Sequence, residues 1–221
     1  MAVTISGTGC SLVDYLYTDV SFDSEAFKRY RSHSEGDGGL VPGKLVFASE
    51  LEEFAGMGFQ RILRDVVGDR GPDATNLGGP AIVALIHAAQ LAAGSDVSVR
   101  FYGVRGDDPS GRAIADIVSR TPVDISGYKT ASGRTPFTNV FSDPTYDNGH
   151  GERTFVNALG VAAEYGPEQL DDSFYDADVL VFGGTALVPR IHDSLTPLLE
   201  RGKRAGALTV VNTVYDFRAE L

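Results

Sequence analysis

Asp14 stands shortly after a β-type run from Val3 to Gly9. In open α/β sheets ligands sit outside the carboxyl ends of strands. A carboxylate there can accept two hydrogen bonds from sugar hydroxyls. Taken alone, a solvated loop Asp is the simpler reading. Gly78-Gly79 precedes a helical pattern. Paired glycines at a helix start let a ligand approach the backbone, where free N–H groups favour oxygen-rich partners; a tight loop entering a helix is the simpler alternative. Gly103-Val-Arg-Gly-Asp-Asp-Pro-Ser-Gly111 lies between a strand and a helix. Asp107 and Asp108 read there as caps that complement the helix dipole. Gly151-Glu-Arg-Thr-Phe155 reads equally as a hairpin charge pair. Asn212 closes the last strand, where it either faces a ligand or satisfies loop backbone groups.

Other chemistries lack their residues. His33, His87, His150 and His192 are scattered without metal-ligand spacing, and His87 falls on the polar side of its helix. Cys10 reads as a small core residue. The sequence has no Gly-x-x-x-x-Gly-Lys-Ser/Thr phosphate loop and no Gly-x-Ser-x-Gly elbow.

The elements that must position these residues alternate between strand and helix. The clearest helix runs from Pro80 to about Ala93, with Ile82, Leu85, Ile86 and Ala89 on one face. A first-turn proline is tolerated, and Gly94 stops the helix. Val97 to Gly103 alternates as a strand, and a helix follows from about Ser110 to Ser119. Thr135 to Phe141 and Arg153 to Val156 read as strands around a polar hairpin turn, Ser142 to Gly151. Asp178 to Phe182 and Ala207 to Val211 are apolar runs typical of buried parallel strands. A helix lies within Pro189 to Lys203, where Pro197 either kinks it or marks its start. Tyr15 to Val46 reads as short strands and turns. Strands separated by helices imply βαβ units and a mostly parallel sheet. The segments at about 12–50 and 125–160 break that rhythm and read as an added β element.

Composition sets the outer bounds. The chain has 221 residues, 19 Lys+Arg against 30 Asp+Glu, and 43% hydrophobic residues. This suits one large folded domain. A net charge of −11 argues against a nucleic-acid binder. No apolar run approaches a membrane span, and the start of the chain is not a secretory signal. One cysteine argues for a reducing compartment, so a cytoplasmic location without membrane partners is expected.

Taken in order, these pieces resemble the ribokinase-like (PfkB) family of carbohydrate and nucleoside kinases. The resemblance rests on Gly7-Thr-Gly-Cys-Ser-Leu-Val-Asp14, Gly78-Gly79-Pro-Ala-Ile-Val-Ala84, Gly103 to Gly111, Gly151 to Phe155, and Val210-Val-Asn212. It implies a doubly wound, mostly parallel α/β fold spanning 1–221, with a small β lid at about 12–50 and 125–160. It implies an ATP- and Mg²⁺-dependent kinase that phosphorylates a hydroxyl of a sugar or nucleoside, and a lid-mediated homodimer. Asp14, Gly78 and Gly79 would hold substrate hydroxyls. Asp37, Gly38 and Gly39 would contribute from the lid, and Asn212 would lie near the substrate or phosphate end.

Two departures stand out. At the position of the family's Gly-Gly-motif Asn this chain carries Ile82. The family's Gly-Ala-Gly-Asp motif, whose Asp is the base, is absent. The expectation is therefore an incomplete fold lacking its C-terminal part, with the base beyond residue 221 and this chain alone inactive. A non-catalytic sugar-binding or pseudo-kinase module is the alternative. A dinucleotide-binding dehydrogenase is disfavoured, since Gly7-Thr-Gly-Cys-Ser-Leu lacks the third glycine of that fingerprint.

Overall fold

A computed structural model describes residues 2–214. Its strands are β1 (Val3–Gly9), β2 (Leu12–Tyr17), β3 (Leu45–Phe47), β4 (Ala74–Gly78), β5 (Val97–Gly106), β6 (Tyr128–Ala131), β7 (Phe137–Asp143), β8 (Glu152–Ala158), β9 (Val179–Gly183) and β10 (Leu208–Asn212). The helices are α1 (Glu25–Arg29), α2 (Ala48–Ala55), α3 (Phe59–Val67), α4 (Pro80–Leu91), α5 (Pro109–Ser119), the single turns α6 (Tyr146–Gly149) and α7 (Asp172–Tyr175), then α8 (Pro189–Asp193) and α9 (Leu195–Arg204). Internal contacts divide the described chain into two units.

The first unit holds the residues up to Val13, Leu77–Pro136, and the described residues from Leu159 onward. Its sheet has the order β10-β9-β1-β5-β6, and the four neighbouring pairs are parallel. The chain winds outward from β1 in both directions, as a doubly wound sheet does. Ile5 of β1 pairs with Val99 on one side and Val179 on the other. α4 packs on β1, β5 and β9. It buries Ala81, Ile82, Leu85, Ile86 and Ala89, close to the face that the spacing predicts. Each large aliphatic buried this way contributes roughly 1.5–3 kcal/mol. Pro80 occupies the first turn, where its missing N–H has no intrahelical role.

Several elements differ from the sequence reading. Gly78 does not open α4; it ends β4, and Gly79 is the N-cap. β5 continues three residues past Gly103. The helix expected within 189–203 is two helices, α8 and α9, separated at Ser194, and Pro197 sits in the first turn of α9.

The second unit is Asp14–Asn76 with Phe137–Ala158. Its sheet, of order β3-β8-β7-β2-β4, is mixed. β7 and β8 form an antiparallel hairpin, and β3 joins β8 in parallel. Asp147 and Asn148 adopt left-handed backbone angles in the hairpin connection, which Asn and Asp tolerate better than other side chains. The core of this unit includes Tyr17, Phe22, Phe27, Leu51, Ile62, Phe141 and Val156. Phe22 stacks on Phe27 at 4.5 Å between centroids. The segments expected as an added β element also contain helices: α1 falls within 12–50, α2 begins there, and α3 follows before β4. A sheet that is apolar on one face must cover that face. Phe27, Leu51, Phe59 and Ile62 come from α1 to α3 and do so.

Candidate functional site

Asp14 sits on β2, half-buried, in the second unit. Burial pushes its carboxyl above the ordinary value, and a hydrogen bond from the Thr138 side chain partly offsets this. Thr138 lies on β7 directly opposite Asn157 of β8. Asp14, Thr138 and Asn157 therefore form one row across three neighbouring strands. Thr138 and Asn157 are 5% and 3% exposed. The Asn157 Oδ1 is buried without a hydrogen-bond partner, which is uncommon for a native acceptor. Sequence reasoning missed both residues. Their pairing depends on the hairpin register, which neither strand shows alone; extending β8 to Ala158 would have exposed it.

Asp37, Gly38 and Gly39 occupy a loop of the same unit. The Asp37 carboxylate is directed into that loop, accepting the N–H groups of His33 (2.7 Å), Ser34 (2.9 Å) and Gly39 (2.9 Å). Desolvation raises its pKa, but the Gly39, His33 and Ser34 N–H groups and the Ser32 hydroxyl bring it well below the carboxylate range. Gly38 has a positive φ of 85°. The role this geometry displays is loop closure.

Gly78, Gly79 and Asn212 belong to the first unit. Gly79 has φ 106°, and a Cβ there would lie 2.5 Å from the carbonyl oxygen of Cys10. The Cys10 N–H in turn donates to the Gly183 oxygen at 3.2 Å, and Gly183 pairs in register with both Gly9 and Asn212. Gly79 and Asn212 thus come to the carboxyl end of the first unit's parallel sheet, where such folds place ligands. The Asn212 Oδ1 accepts the Val214 N–H at 2.9 Å, which realises the loop-satisfying alternative. Ile82, at the expected amide position, is 0% exposed. It is a core side chain of α4.

The Gly103 to Gly111 motif is a joint between β5 and α5. The Asp108 side chain caps α5 by accepting the Gly111 N–H at 2.8 Å, and it also takes the Thr135 N–H and hydroxyl. Asp107 accepts the Gly133 N–H at 3.1 Å. Asp108 takes the capping role the sequence suggests, whereas Asp107 does not cap α5 and ties in the loop at Gly133 instead. Among the described residues, no group of three or more His, Cys, Asp and Glu gathers as a metal cage.

A five-stranded parallel sheet wound in both directions, with a second unit built on a mixed sheet, is an arrangement shared with part of the solved structures of adenosine kinases and a ribokinase. The structure is similar to Anopheles gambiae adenosine kinase, with TM-score 0.69 and 16% identity over 94% of this chain and 56% of that one. It is similar to Schistosoma mansoni adenosine kinase in complex with tubercidin, with TM-score 0.69 and 15% identity over 98% and 57%. Thermotoga maritima ribokinase matches with TM-score 0.56 and 15% identity over 95% and 52%. The chain therefore spans just over half the length of these structures. No protein family and no curated protein matches the sequence.

Proposed function

We propose that this chain carries the substrate-binding part of an ATP-dependent kinase that transfers the γ-phosphoryl group to a hydroxyl of a sugar or nucleoside. The observation supporting this is the state of Asp14. Asp37 and Asp108 accept backbone N–H groups, whereas Asp14 is held by one side-chain hydroxyl and is half-buried. Its two oxygens suit two neighbouring hydroxyls, which it would orient for attack. Positioning and charge stabilisation supply most of the catalysis in phosphoryl transfer.

In this reading the second unit is the lid, and Gly38 and Gly39 contribute through backbone. Asp37 acts indirectly, by fixing the loop. Gly78 and Gly79 would offer backbone within the first unit, whereas the Asn212 Oδ1 is taken by the Val214 N–H. ATP with Mg²⁺ supplies the phosphoryl group when bound. Mg²⁺ in such sites takes one or two carboxylates beside phosphate oxygens. A reducing, cytoplasmic setting and a lid-mediated homodimer complete the reading. No described helix is long and apolar enough to cross a membrane, and the −11 charge disfavours nucleic acid.

Calorimetric titration of the 221-residue chain with D-ribose and with nucleosides tests this reading. At least one ligand should bind, and Asp14→Ala should weaken it roughly tenfold or more. Unchanged affinity would refute the role of Asp14. In parallel, ADP release with ATP and Mg²⁺ should be absent. Turnover abolished by Asp14→Ala would show that another residue of this chain serves as the base.

A further inference from the structure

The connection between β7 and β8 carries a chemistry that the kinase reading does not use. The ladder of this hairpin ends at the pair Asp143 and Glu152. Beyond it, Asp147, Asn148, Gly149 and His150 are exposed. The chain has five asparagines, Asn76, Asn139, Asn148, Asn157 and Asn212, and only Asn148 precedes a glycine. A glycine there leaves its backbone nitrogen open to close approach, because it has no Cβ. The backbone of the tip is also strained. Asp147, Asn148 and Gly149 have φ of 49°, 57° and 87°, and the left-handed region is costly for the first two even though Asp and Asn tolerate it best. Backbone bonds close the turn: the Gly149 N–H donates to the Thr145 carbonyl at 3.1 Å, and the Gly151 N–H to that of Tyr146 at 2.9 Å. The Gly149 nitrogen is therefore released only when the tip opens, and exposed, strained turns open at low cost.

We infer that Asn148 is a site of self-modification, at which the opened tip converts asparagine to aspartate and isoaspartate. The Gly149 nitrogen loses its proton and attacks Asn148 Cγ. The Cγ–Nδ2 bond breaks, and ammonia leaves carrying that proton. Water then opens the resulting succinimide at either carbonyl. One product is an aspartyl residue; the other is an isoaspartyl residue, whose backbone is longer by one carbon. Both place a new negative charge at the tip. The chain's one Asp-Gly pair, Asp37-Gly38, has the same spacing but a different state. The Asp37 carboxylate accepts the N–H groups of His33, Ser34 and Gly39, which hold it ionised and pinned. An ionised carboxylate is a poor electrophile, so the chemistry falls on Asn148.

The test is incubation of the 221-residue chain at pH 8 and 37 °C, followed by peptide mapping with mass spectrometry against an unincubated control. The peptide holding Asn148 should be lost into aspartyl and isoaspartyl forms, ahead of the peptides holding Asn76, Asn139, Asn157 and Asn212. No conversion at Asn148, or earlier conversion at another asparagine, overturns the assignment. Asn148→Gln, whose longer side chain closes a ring far more slowly, should lose both products; their persistence at that peptide overturns it as well. Asp147→Gly removes a left-handed side chain and stabilises the closed tip, so it should slow conversion at Asn148. Conversion at the parent rate overturns the role given to opening of the tip. Amide exchange in β7 and β8 should rise in the converted chain, since the isoaspartyl product lengthens their connection; unchanged exchange overturns that coupling.

Discussion

Asp108 and Asp14 are driven in opposite directions by their surroundings. At Asp108, desolvation raises the pKa, but the Thr135 hydroxyl and the Gly111 and Thr135 N–H groups outweigh it and hold the carboxyl below its ordinary value. A carboxyl depressed by folding adds stability that is fully present above its unfolded pKa, near 4, and is lost as pH falls through the folded value. Asp108→Ala should therefore cost about 1–2 kcal/mol at pH 7, and its deficit against the parent should shrink below about pH 4. Urea midpoints followed by circular dichroism at pH 7 and pH 3 would show both. Asp14 has the reverse sign. Its folded pKa is raised by burial, so its contribution is stabilising below the unfolded pKa and is lost as pH rises through the folded one. Asp14→Asn should consequently raise the Tm at pH 7 while weakening ligand. Ligand affinity of the parent should fall with acid at a midpoint above 3.8, and the variant should lack that dependence. A Tm unchanged or lowered at pH 7 would contradict the burial argument.

Among the elements, α3 shows what sequence reading can and cannot see. Its apolar stripe, Phe59, Ile62, Leu63, Val66 and Val67, has helical spacing. Its start carries no Ser, Thr, Asp or Asn signal, because the N-cap is Gly58 and the Phe59 N–H is instead bonded by Glu52 at 2.7 Å, seven residues earlier. Ile62 is fully buried in the second unit's core. Ile62→Ala should cost about 2–5 kcal/mol, readable as a lower urea midpoint. α4 was legible because Gly79-Pro80 marks its start and its buried face repeats every three to four residues. β4 was not: Ala74 to Asn76 are exposed and show no alternation. β6 has four residues and α1 five, too few for a period to declare itself. The same limit applies to the site. Asp14 could be singled out by residue type and place after β1, whereas Thr138 and Asn157 acquire meaning only through strand pairing.

At the scale of the molecule, each unit owns a hydrophobic core but neither is one continuous stretch of sequence. Proteins open in cooperative parts whose stabilities differ. Ile62→Ala should therefore accelerate amide exchange in β7 and β8 while β1, β5 and β9 keep their protection. Exchange that rises equally in all five strands would mean that the units unfold as one. The close approach of Gly79 to the Cys10 carbonyl, and of Gly9 to that of Gly183, has a consequence for genetics. Both glycines have backbone angles and neighbours that exclude a side chain, with or without ligand. In a saturation library scored only for soluble expression, these two positions should be depleted of every other residue. Intolerance there will measure how tightly the first unit is folded, and a functional screen needs that expression baseline subtracted before either glycine is credited with binding.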